Sequence, residues 1–117
     1  MPIRFAVEHR ATYCVVRVDG DPTLAEFVAF IERLGIEARS WPARRALVDL
    51  RAVRTLTTAE HHRAVGQAVC AHLASLERLA SVVPGDRMTR NSESVAQAGG
   101  VNLRVFSSEG DALSWLA

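Results

Sequence analysis

Only two cysteines, Cys14 and Cys70, occur in 117 residues. They fall on an expected strand and an expected helix, without CxxC spacing or the framework of a disulfide-stapled domain, and read as buried free thiols. There is no GxSxG elbow, P-loop, GxGxxG or HExxH motif. Their absence removes the usual signatures of a nucleophilic hydrolase, a nucleotide binder and a zinc enzyme. No apolar run approaches the ~20 residues that cross a bilayer, and no charged-then-apolar leader opens the chain, so a cytoplasmic protein is expected. Basic residues are scattered, and 14 of them against 13 acidic ones leave a formal charge of +1. A nucleic-acid partner would call for a massed basic patch instead. Internal repeats, low-complexity tracts and linkers are also missing.

What is present is the balance of a folded domain: 49% hydrophobic and 23% charged residues. A chain of this size buries roughly two thirds of its unfolded surface around one core, so residues 1–117 are read as one domain. Ile3 to Glu8 alternates at period two and Tyr13 to Val18 is rich in β-branched residues, which together predict an opening hairpin. Asp21 is placed to cap a helix starting at Pro22, with Leu24, Phe27, Val28, Ile31 and Leu34 on one stripe and Gly35 near its end. Ala46 to Leu50 is a third strand, apolar enough to be covered on both faces. Thr57 and Glu60 have capping-box spacing at the start of a second helix, whose stripe is Val65, Ala68, Val69, Leu73 and Leu76. Leu79 to Val83 is a fourth strand stopped by Pro84-Gly85. Met88 to Ala98 is a helix ended by Gly99-Gly100, Asn102 to Phe106 a fifth strand, and Glu109 to Leu116 a closing helix. The order β-β-α-β-α-β-α-β-α implies an α/β fold with a mostly parallel five-stranded sheet and an antiparallel N-terminal hairpin.

The second half carries a resemblance. Val48-Asp49-Leu50, Glu60 and His61 on the following helix, Arg78-Leu79-Ala80, Val82-Val83-Pro84, Arg87, Glu93, Ala96, Gly99, Arg104-Val105-Phe106 and the ending Ala112 to Leu116 resemble the SpoIIAA-like family. That resemblance implies the STAS-like fold of bacterial anti-anti-sigma factors, with a superfamily link to Sec14-type (CRAL-TRIO) lipid carriers. It also implies a non-enzymatic regulatory or binding module that needs no cofactor. In phosphorylated STAS regulators the switch Ser or Thr opens the helix after the third strand, within Asp-Ser-Ser/Thr-Gly. The matching stretch here is Thr57-Thr58-Ala59-Glu60, which has the hydroxyls but neither that aspartate nor that glycine.

The residues add their own candidates. Thr55, Thr57, Thr58 and His61 gather where a strand gives way to a helix, the usual crevice for ligands and contacts in an open α/β sheet, and are read as a regulatory loop. A metal is not expected. His61 and His72 lie roughly 16 Å apart along a helix rising ~1.5 Å per residue. His61 and His62 diverge by about 100° around it. Arg87 and Arg90 suit a carboxylate or other anion. Phe27, Phe30, Ile31 and Trp41 form an apolar wall that serves as the cover of a small apolar-ligand pocket, as a homodimer face, or as ordinary core. The leading expectation is contact with a protein partner, including a second copy of the chain, and the alternative is a lipid-like ligand.

Overall fold

The computed structural model describes residues 3–55, 58–85 and 91–117. Within them the predicted order of elements is present in full: β1 (Arg4–His9), β2 (Cys14–Gly20), α1 (Leu24–Ala38), β3 (Arg45–Val53), α2 (Ala59–His72), β4 (Arg78–Val82), α3 (Asn91–Ala98), β5 (Leu103–Phe106) and α4 (Glu109–Leu116). The strands lie in the order β1-β2-β3-β4-β5. β1 pairs antiparallel with β2, and every later neighbour is parallel.

Because the parallel strands follow one another in sequence order, right-handed crossovers put α1, α2 and α3 on the same face. The side-chain alternation fits. Cys14, Val16 and Val18 of β2, Ala46 and Val48 of β3, and Leu79 of β4 enter a core with Phe27, Ile31, Leu34, Val69 and Ala96 of those helices. The alternate residues Val15, Leu47, Ala80 and Val82 pack instead against Ala112 and Leu116 of α4. Among the described residues one terminal helix therefore covers the second face alone.

Several boundaries differ from expectation, each for a local reason. β3 continues beyond Leu50 to Val53, because Ala52 and Val53 resume pairing with Asp19 and Gly20 after an irregularity in register. α2 stops at His72, and Leu73 and Leu76, expected on its stripe, are buried in the turn that follows. α3 ends as predicted: Gly100 takes a positive φ of 92°, while Val101 N donates to Ala96 O and Gly100 N to Gln97 O. These two bonds make a Schellman cap, which favours glycine at the left-handed position.

Gly35 does not end α1, which runs three residues further. Its role is tertiary. A Cβ at position 35 would stand 2.3 Å from the carbonyl oxygen of His72, so glycine is what lets α1 and α2 approach at this crossing. Gly35→Ala should destabilise the protein by about 1–3 kcal/mol, although alanine is intrinsically the better helix former by ~1 kcal/mol. Urea unfolding is expected to show a lower midpoint with an unchanged m-value; an unchanged or raised midpoint would refute the close crossing.

Candidate functional site

The carboxyl ends of β2 and β3 are tied to each other by their loops. β2 ends at Gly20, whose φ of 124° lies in the region glycine tolerates. Arg54, just past β3, donates from its backbone N to Gly20 O at 3.4 Å and from Nε to Asp21 Oδ1 at 3.2 Å. Thr55 Oγ1 donates to Pro22 O at 2.6 Å. Thr55, one of the expected site residues, is thus a strut between the two loops.

Two helix N-termini open at this same end. α1 is capped by Thr23, not by Asp21: Thr23 Oγ1 accepts from Glu26 N at 3.2 Å, and Glu26 Oε1 accepts from Thr23 N at 2.8 Å. That reciprocal pair is a capping box, and the amide hydrogen bond holds the Glu26 carboxyl below its ordinary range. Asp21 is left to bind Arg54. The cap of α2 is Thr58, whose Oγ1 accepts from His61 N at 3.1 Å. The expected cap at Thr57 is therefore displaced by one residue, and Thr57 itself lies outside the described residues. His61 sits in the first turn of α2, half-buried, and its Nδ1 is buried with no hydrogen-bond partner among the described residues.

A second cluster on the α4 face was not foreseen from sequence. Asp49 of β3, only 9% exposed, accepts from Arg17 Nη1 at 2.8 Å and from Arg51 N, Nε and Nη2 at 3.1, 2.9 and 2.9 Å. Glu109, the first residue of α4, accepts from Arg17 Nη1 and Nη2 at 2.8 and 3.3 Å and from Arg51 Nη2 at 2.8 Å. Burial pushes the Asp49 carboxyl up, but the hydrogen bonds and charges of Arg51 and Arg17 outweigh it and leave it below the ordinary range. Glu109 is likewise lowered, chiefly by its hydrogen bond from Arg17, and the guanidinium of Arg17 is held charged chiefly by Glu109. Two carboxylates locked as anions by two guanidiniums have no proton to trade, so the cluster is a clamp on the N-terminus of α4. One sequence signal bears on it: the chain has no lysine, and all 14 basic residues are arginine.

The remaining expected site residues separate. Phe27, Phe30, Ile31 and Trp41 are 3, 4, 3 and 7% exposed. Phe30 lies between Phe5 and Phe27, and Trp41 meets His9. Their apolar wall is core packing, which removes the basis for an apolar-ligand pocket there. Arg87 and Arg90 lie outside the described residues. Glu93 is buried and accepts from Val105 N at 2.8 Å. Cys14 and Cys70 are free thiols; burial raises the pKa of Cys14 despite the charge of Arg44. Among the described residues no three His, Cys, Asp or Glu side chains are grouped to hold a metal, and no helix is long and apolar enough to cross a membrane.

The sequence from Tyr13 to Ala117 matches the model of the SpoIIAA-like family. The chain belongs to that family. No curated protein matches it by sequence, whereas solved structures do match by fold. An anti-sigma factor antagonist from Mycobacterium paratuberculosis superposes with a TM-score of 0.68 at 18% identity, over 97% of this chain and 93% of the other. An uncharacterised protein with a SpoIIAA-like fold from Shewanella loihica PV-4 gives 0.60 at 18% identity, over 99% and 94%. The SpoIIAA-like match starts at Tyr13, so β1 lies outside it.

The clamp makes a signed prediction for this SpoIIAA-like domain. Asp49 and Glu109 have folded pKa values below their unfolded ones, so they stabilise the fold above the ordinary values of 3.8 and 4.5. That stability is lost as pH falls through the folded values. Asp49→Asn should cost about 1–3 kcal/mol at neutral pH, since it leaves Arg17 and Arg51 facing each other without their buried counter-ion. In melting curves against pH, the variant should lose less between about pH 5 and about pH 3, a window that brackets the ordinary carboxylate values to within roughly one unit, than the parent does. Parallel pH profiles would contradict the clamp.

Proposed function

We propose that this chain is a small, non-enzymatic, cytoplasmic regulatory module that acts by binding another protein. Its contact surface is the end of the sheet formed by the Arg51 to His61 loop and helix start. The observation that carries this reading is the tie between the two loops. Arg54 and Thr55 hold the β3–α2 loop against the β2–α1 loop, so exposed Arg54, Thr58 and Glu60 are presented beside two helix N-termini on a fixed frame. Rigid presentation favours binding because little conformational entropy is lost when the partner docks. The likeness in fold to an anti-sigma factor antagonist supports a partner that is a protein. Thr55, Thr58 and His61 serve that surface as strut, cap and first-turn support. Thr57 belongs to the same stretch, and phosphorylation is not needed for the reading.

The test is affinity capture from the source cells with the intact chain, followed by titration of the recovered partner. Arg54→Ala and Glu60→Ala, both exposed, should each weaken binding roughly tenfold or more if they lie in the contact. The substitution Arg39→Ala at the far end of α1 should leave affinity unchanged. Equal affinity for all three variants would overturn the assignment of the surface. Turnover of a substrate that His61→Ala abolishes would overturn the non-enzymatic reading.

A further inference from the structure

The two edges of the sheet are finished differently. β5 is closed by α3: Glu93 accepts from Val105 N at 2.8 Å and Gln97 Nε2 donates to Leu103 O at 3.0 Å. Among the described residues β1 has a strand on one side only, and no side chain bonds to its other edge. The hairpin bond from Arg10 N to Tyr13 O at 2.8 Å fixes the alternation. With the register Arg4↔Asp19, Ala6↔Arg17 and Glu8↔Val15, the backbone groups of Arg4, Ala6 and Glu8 face β2, and those of Phe5 and Val7 face outward.

We propose that this edge pairs with β1 of a second copy, antiparallel about a two-fold axis at Ala6, joining two sheets into one of ten strands. The sequence Arg4-Phe5-Ala6-Val7-Glu8 is self-complementary in that register. Arg4 meets the partner's Glu8, Phe5 meets the partner's Val7, and Ala6 meets its own symmetry mate. Phe5 and Val7 are the residues whose N–H and C=O groups point outward, so four backbone hydrogen bonds form around the axis, two for each Phe5–Val7 pair. Edge charges normally deter pairing. Here they have opposite sign at mirrored positions, so the antiparallel register is attractive and its neighbours by two residues are not.

The existing contacts of these charges are compatible with the seam. Arg4 Nε donates to Asp19 at 3.0 Å and Arg10 donates to Glu8 at 2.8 Å, both in exposed pairs, which rearrange at little cost. Phe5 and Val7 are only partly buried against the core, and a second copy would cover their remaining surface. Next to the edge, Arg33 of α1 lies 5.6 Å over the Phe5 ring, and one turn on is Ile36, 61% exposed and the large exposed apolar side chain among the described residues.

The experiment is sedimentation velocity on the intact protein and on Arg4→Glu and Glu8→Arg, with circular dichroism to show that each variant is folded. The parent should be a dimer that dissociates on dilution. Each single variant puts like charges at both mirrored positions and should raise the dissociation constant about tenfold or more. Mixing the two single variants makes every cross-strand pair opposite in sign and should restore a heterodimer. A folded parent that stays monomeric at about 0.5 mM, a concentration at which a dissociation constant of about 1 mM begins to show, would overturn the proposal. So would a dimer unaffected by either charge reversal, since it would use another surface, or a mixture that fails to associate.

Discussion

Everything in this fold follows from one topological constraint: the parallel strands lie side by side in the order in which they are made. Right-handed crossovers then have no choice of face. α1, α2 and α3 must crowd one side of the sheet, which is why they cross closely enough to need Gly35 against the His72 carbonyl. The other side receives no crossover helix. It is left to α4, eight residues long and covering mainly β3 to β5.

A short helix on a bare sheet face is held weakly by apolar burial alone, and the chain holds it with arginine at both ends. Arg17 and Arg51 grip Glu109 at its start. Arg45 Nη1 and Arg78 Nη1 donate to the carbonyls of Leu116 and Trp115 at its finish, at 2.6 and 2.7 Å, where the last helical carbonyls have no partner within the helix. Arg78 and Arg104 also stand over the Trp115 ring. Planar guanidinium groups suit all three jobs: bidentate pairing with carboxylates, bonding to carbonyls and stacking on an indole. The complete absence of lysine is in keeping with that demand.

Local signals were readable and long-range ones were not. The period-two hairpin, the apolar run Ala46 to Leu50 and the Gly99-Gly100 stop are set by neighbours in sequence, and the elements stand where those patterns put them. The helix caps shifted because Asp21, Thr23, Thr57 and Thr58 are all competent cap residues; Thr23 caps α1 while Asp21 binds Arg54 across 33 residues. Gly35 looked like a helix end because its contact with His72 lies on another helix. The wall of Phe27, Phe30, Ile31 and Trp41 was visible as apolar, but only the fold decides that the sheet lies behind it. The clamp joins residues 17, 49, 51 and 109, which come together only once the β2–β3 register and the docking of α4 are known. Of the residues singled out for the candidate site, two have structural roles that the sequence did not disclose: Thr55 is a strut and Thr58 a cap.

The three crossover helices and their face thus form the stable body, with the proposed contact end built on it, while α4 is a separately fastened cover. Amide hydrogen exchange on Glu109→Gln measures this division most directly. The account predicts that amides of α4 exchange at least about tenfold faster than in the parent while those of α1 and α2 keep their protection, the mark of a sub-global opening. Unchanged exchange in α4, or equal acceleration in all four helices, would contradict it.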